Sequence, residues 1–170
     1  MYASWHAKVV TLICSLALSL SAFVLHAPAQ AQDSAAGTVK AGDLIIANIW
    51  IKAPPAGAKV SGGYATIINR GKESDRLIGA SIPQAAKAEV HEMTIQDNVM
   101  RMRALDNGLE IGPGETAELK PGSYHIMFLD LKQLPAEGQS INGELVFSRA
   151  GKVPVVFHVR GMAGHSDMKH

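Results

Sequence analysis

ETAELKPGSYHIMFLDL, residues 115–131, reads as two short strands around one turn. The runs 115–119 and 124–131 carry strand-type patterns, and Pro121-Gly122 separates them. Proline presets one turn dihedral and glycine supplies the backbone freedom a reversal needs. The second run also places His125 and Met127 two residues apart, hence on one face of a strand, about 6 to 7 Å apart at the backbone.

The same punctuation recurs outward in both directions. Residues 44–52 (LIIANIWIK) stop at Pro54-Pro55, residues 63–69 (GYATIIN) close at Arg70-Gly71, and residues 76–81 end near Pro83. Residues 88–93 and 99–105 flank the polar turn Gln96-Asp97-Asn98, while 144–148 and 153–159 form a hairpin across Ala150-Gly151-Lys152. No long segment carries a helical period with caps at both ends, although residues 83–88 suit a short turn. About eight or nine short strands at regular spacing predict an all-β, antiparallel sandwich or small barrel, for which a Greek-key order is usual. The expected domain spans residues 42–160, with a flexible lead-in at 32–41 and a flexible His/Met-rich tail at 161–170.

The amino terminus has the marks of an export signal. Lys8 gives the positive charge, residues 9–25 are uncharged, and Ala29-Gln30-Ala31 is a small-residue cleavage site. Cleavage after Ala31 would leave 139 of the 170 residues in the periplasm, with no stable membrane association. Retention of the run as an uncleaved anchor is the competing reading. Cys14, the sole cysteine, lies inside this run, and Thr11-Leu12-Ile13 before it lacks the small residues of a lipid-modification site. The exported chain would therefore have no thiol, no disulfide and no cysteine ligand. It would also lose Lys8, leaving 15 basic and 15 acidic residues. That balance gives no support to the basic stripe expected of a nucleic-acid partner, and the few aromatics argue against a stacking platform.

Histidine and methionine are unevenly spread. Beyond residue 31, His91, Met93, Met100, Met102, His125 and Met127 form one cluster; His158, Met162, His165, Met168 and His170 form the other. Three strands of the first cluster each carry two such residues at period two. If those strands converge, two imidazoles and two thioethers meet easily, with His91, Met102, His125 and Met127 the preferred four and Met93 and Met100 the alternates. Methionine is also a common filler of irregular cores, so a scaffold or adhesion sandwich with core Met and His is the rival expectation. Repetition of the His–Met pair favours a site. Imidazole with thioether suits Cu(I), whereas structural zinc prefers cysteine with histidine and a blue-copper centre needs a thiolate. His91-Glu92-Met93 lacks the second histidine of a zincin, and no nucleophile elbow, phosphate loop or paired carboxylates appear, so no enzyme activity is expected.

His91-Glu92-Met93, Met100-Arg101-Met102-Arg103, Gly108-Leu109-Glu110-Ile111 and residues 119–127 (LKPGSYHIM) resemble the periplasmic PCuAC copper chaperone family over roughly residues 42–159. The family motif is His, ten residues, Met, a gap a little over twenty, then His-x-Met. Here the gaps are ten and 22, the second about one residue longer than the family's, which leaves open whether Met100 or Met102 is the ligand. The resemblance implies a cupredoxin-like β-sandwich binding Cu(I) through His91, Met102, His125 and Met127. It further implies delivery to the copper centre of cytochrome c oxidase, with oxidase subunit II and a Sco-type thiol protein as partners. Residues 161–170 (GMAGHSDMKH) have two glycines and no apolar period; His165, Met168 and His170 would supply a second site for Cu(II), with His158 and Met162 weaker candidates.

Overall fold

Ile46, Ile51, Ile67, Leu77, Ile126, Phe128, Leu145, Phe147 and Phe157 are almost completely sealed from solvent. Each lies on a strand whose neighbouring residues are more exposed, the signature of a sheet with one apolar face. Burying each such side chain contributes about 1.5–3 kcal/mol. The computed structural model describes residues 37–97 and 99–161. The strands are β1 (Val39–Ala41), β2 (Leu44–Lys52), β3 (Val60–Asn69), β4 (Asp75–Ser81), β5 (Ala85–Gln96), β6 (Val99–Ala104), β7 (Leu109–Ile111), β8 (Thr116–Leu119), β9 (His125–Leu131), β10 (Ser140–Phe147) and β11 (Gly151–Arg160).

They pair in the order β6-β5-β9-β3-β2-β11-β10-β4-β7, with β1 added to β2 and β8 to β3. Strand β9 is three places from β11 in that order, yet Phe128 and Phe157 meet edge-on at 5.6 Å between ring centroids. The sheet therefore folds over on itself, and its two halves enclose the core. This is the expected cupredoxin-like Greek-key sandwich. One pairing departs from the antiparallel expectation: β11 runs parallel to β2, matching His158 with Trp50 and Arg160 with Lys52. A chain whose last strand closes against its first long one is free of the hairpin constraint that forces neighbours antiparallel.

Two further differences concern short elements. Val39–Ala41, expected within the flexible lead-in, forms β1 against Leu44 to Ile46. Leu109–Ile111 forms β7 against β4, where no strand was expected. Both have only three residues, too few for a period to show. A bulge in β2 matters more. The register slips between Ala47 and Trp50, and Asn48 takes a φ of 52°. The extra residue reverses the alternation, so Ile49 and Ile51 join Leu44 and Ile46 in the core while Trp50 and Lys52 turn outward.

Candidate metal centre

Residues opposite one another in an antiparallel pair share a face. His91 lies opposite His125, Glu89 opposite Met127, and Met93 opposite Met102. Ile95 lies opposite Met100. All six His and Met residues of the first cluster thus project from one face of β6-β5-β9. Val90, Ile126 and Phe128 project the other way, into the core. The cluster occupies the outer face.

No described methionine is a core residue. Met100 is 69% exposed and Met102 49%, while Met93 and Met127 are half-buried. Packing the interior is therefore not what these thioethers do. Among the described residues, no three His, Cys, Asp or Glu side chains are grouped to hold a metal. A metal on this face needs the sulfurs.

His125 is the fixed point. It is only 4% exposed, and its Nδ1 lies 2.9 Å from the carbonyl oxygen of Ser123. That carbonyl can only accept, so Nδ1 carries the proton and the Nε2 of the neutral ring is left with a bare lone pair. Nε2 points at Met102 Sδ, 3.1 Å away. Thioether sulfur has no hydrogen to offer, so two electron-pair donors face each other with nothing between to share. A cation is the natural complement to such a pair.

His91 has the opposite arrangement. Its Nε2 lies 2.8 Å from Glu89 Oε2, and Glu89 also pairs with Lys87. The Lys87 hydrogen bond first, then that of His91, holds the Glu89 carboxyl below the usual carboxylate range. An ionised carboxylate only accepts, which in the neutral ring places the His91 proton on Nε2 and the lone pair on Nδ1. Nδ1 is buried and has no hydrogen-bond partner. An orphaned buried nitrogen costs about 1–3 kcal/mol. The two rings lie 5.8 Å apart, centroid to centroid, and in their neutral forms one is open through Nε2 and the other through Nδ1.

Beside His125 opens a pocket of about 360 Å³. Met93, Met102, His125 and Met127 form one wall; Lys52, Pro54, Pro55, Val60 and Tyr64 form the other. His91 and Met100 do not line it. Of the expected residues, the fold brings His91, Met93, Met102, His125 and Met127 together, and leaves Met100 two positions along β6 toward the turn of the hairpin. His158 lies elsewhere, on β11, with Nδ1 3.2 Å from Ser140 Oγ. Met162, His165, Met168 and His170 fall outside the described residues, as does the segment expected to be an export signal.

Glu89, Ser123, Lys52 and Tyr64 were not singled out in the sequence. Glu89 had a signal: an acid two residues before a strand histidine must share its face. The others needed the register of β9, β3 and β2.

Solved structures share this fold. The "Copper-bound PCuAC domain from PmoF2" superposes with a TM-score of 0.63 at 22% identity, covering 73% of this chain and 97% of that one. The "Solution structure of CuI-DR1885 from Deinococcus Radiodurans" gives a TM-score of 0.55 at 22% identity over 76% of this chain and 85% of that one. In sequence, the "Putative lipoprotein Lxx21020" of Leifsonia xyli subsp. xyli is 28% identical over 157 residues, 92% of each chain. Residues 44–159, nearly the whole sandwich, match the family model described as "Putative lipoprotein LpqE-like", and the chain belongs to that LpqE-like family.

Proposed function

We propose that this protein is an exported copper carrier, with no catalysis of its own, that binds Cu(I) through His91, Met102, His125 and Met127. The observation that carries the reading is the 3.1 Å approach of the His125 Nε2 lone pair to Met102 Sδ, beside the orphaned Nδ1 of His91. Soft thioethers with neutral imidazoles select cuprous copper. Copper appears in the descriptions of both structural relatives, which supports copper as the cargo. Met93 faces the same pocket and is the alternate sulfur. The rival scaffold reading needs the methionines as packing, and their place on the outer face argues against it.

Delivery to the copper centre of cytochrome c oxidase, with subunit II and a Sco-type thiol protein as partners, completes the proposal. The lipoprotein descriptions of the family and of the Leifsonia relative support export, and a periplasmic protein released after Ala31 is our reading. No helix among the described residues is long and apolar enough to cross a membrane.

The carboxy-terminal tail would add a Cu(II) site through His165, Met168 and His170. Arg160, the end of β11, pairs with Lys52, which lines the pocket. The tail thus starts at the pocket rim, and its nine residues beyond Gly161 could reach about 30 Å. Truncation after Arg160 should lower Cu(II) stoichiometry and spare Cu(I); unchanged Cu(II) uptake refutes the tail role.

The Cu(I) proposal is tested by X-ray absorption on the loaded protein. Two nitrogen and two sulfur neighbours are expected. A first shell without sulfur would end it.

A further inference from the structure

The pocket beside the cluster is far larger than an ion. Its floor explains why. Met127 lies opposite Gly62, and Gly63 opposite Ile51; one residue further on, Gly62 and Lys52 share the outer face. Between Met127 and Lys52 there is therefore one strand position without a side chain, a gap of about 9–10 Å at the backbone. A Cβ on Gly62 would come within 2.6 Å of the Tyr64 hydroxyl, which lies over it, so the tyrosine would have to shift. Burial raises the pKa of that phenol above its ordinary value, so Tyr64 stays a neutral wall. Pro54 and Pro55 stiffen the far rim.

Charge on the pocket wall has one sign. Lys52 lines it, no Asp or Glu does, and among the described residues no carboxylate lies within 4.0 Å of the Lys52 ammonium. A cavity with three thioethers on one side and a lone cation on the other suits a ligand that is both soft and anionic.

We propose that this pocket seats a cysteine thiolate from an extended loop of a partner protein, with Lys52 as its counter-charge and the copper cluster as its target. The proposal rests on the Cu(I) reading above. In the exchange the copper stays Cu(I): one copper–thioether bond breaks as one copper–thiolate bond forms, and the thiol proton leaves to solvent. Lysine beside a thiol favours the thiolate, the form that binds metal. Thiolate outcompetes thioether as a soft donor, so the transfer runs outward without releasing free ion.

The test uses the Cu(I)-loaded chain and a short neutral peptide with one cysteine, against the same peptide bearing S-methylcysteine. Copper transfer to the cysteine peptide is followed by rate, and the mixed species by X-ray absorption. Lys52→Gln should slow transfer about tenfold at low salt, through loss of electrostatic attraction. Lys52→Arg should restore it to within about twofold, and added salt should slow the wild type but not Lys52→Gln. Transfer by Lys52→Gln at the wild-type rate overturns the proposal. So does equal transfer to the S-methyl peptide. A chain that takes up no Cu(I) at the outset overturns the carrier reading as well, which separates the two failures.

Discussion

Two polar clusters sit on this sandwich, and they are built on opposite rules. At one end of the sheet, Asp75 is 6% exposed and Asn69 1%, and the polar atoms of both are in use. Asp75 Oδ1 accepts from the Arg76 and Arg149 backbone N–H groups and from Ser148 Oγ, and Oδ2 accepts from the Ala150 N–H. Asn69 Nδ2 donates to the carbonyls of Glu73 and Ile111, and its Oδ1 accepts from the Gly71 N–H. At the other end, His91 Nδ1 has no partner and His125 Nε2 faces a sulfur. The first cluster ties loops to strands and lowers the free energy of the fold. The second withholds lone pairs that the fold could have satisfied, which makes sense only if something else satisfies them. Local rules are broken where function is placed.

The sharpest way to break that comparison is to remove one member from each cluster and measure both outcomes. His125→Ala should weaken Cu(I) binding by at least about 100-fold, since a lost ligand costs no less than a lost supporting contact. Chelator competition reads it, and the apo protein should keep its thermal midpoint to within a few degrees. Asp75→Ala should do the reverse. It strands three backbone donors, and at about 1 kcal/mol or more for each buried unsatisfied group the loss is about 3 kcal/mol. Denaturant unfolding measures that, with copper stoichiometry unchanged. If His125→Ala unfolds the protein and Asp75→Ala loses copper, the two clusters are not divided as described.

The pH dependence of stability sharpens the same contrast. Burial alone would raise the Asp75 pKa, but the N–H groups of Arg149, Arg76 and Ala150 and the Ser148 hydroxyl together hold it below the usual carboxylate value. A carboxylate depressed in the folded state contributes stability that is fully present above its unfolded pKa, near 3.9. That contribution is lost as pH falls below this value and through the folded pKa. Apo stability should therefore decline below about pH 4 in the wild type, and Asp75→Asn should flatten the decline. An identical acid limb in the variant would remove Asp75 as its source.

Much of this arrangement was legible in the sequence. The turns at Pro121-Gly122 and Ala150-Gly151 marked strand ends, and period two put His125 with Met127 and His91 with Met93. What the sequence left open was which face each pair takes. A His–Met strand face can be core or surface, and only the buried alternation of Val90, Ile126 and Phe128 on the other side settles it. The β2 bulge was hidden for a similar reason. LIIANIWIK is apolar at most positions, so an inserted residue at Asn48–Ile49 leaves no gap in the pattern, yet it decides that Lys52 rather than Ile51 faces the pocket. Hydrogen bonds across short range, such as Ser123 to His125, follow from a turn geometry that composition does not encode.

A smaller effect belongs to the supporting contact. Glu89→Gln keeps the size of the side chain but lets either ring nitrogen of His91 carry the proton, since an amide can donate as well as accept. Cu(I) affinity should fall about tenfold, the low end for loss of an outer hydrogen bond to a ligand. Glutamine fills the same half-buried place as Glu89, so unfolding in the apo state should change little. The tautomer itself is visible in long-range 15N NMR of the apo protein: His91 protonated on Nε2, His125 on Nδ1. Both rings protonated on the same atom would contradict the opposed arrangement.

The smallest expected effect decides between neighbours. Met100 and Met102 share a face two residues apart on β6, an edge strand exposed along its whole length. Only Met102 reaches His125 and the pocket. Opposite Met100 lies Ile95, itself 67% exposed. Leucine replaces methionine with little change of volume and removes the sulfur. Met100→Leu should leave Cu(I) affinity within about twofold, while Met102→Leu should lower it about tenfold or more, on the scale of a lost contact at a metal centre. The edge strand gives the experiment its force: neither residue is packed, so neither change disturbs the core, and any difference between them measures the sulfur alone. Equal affinities in the two variants would shift the second sulfur to Met93, which faces Met102 across the hairpin and lines the same pocket.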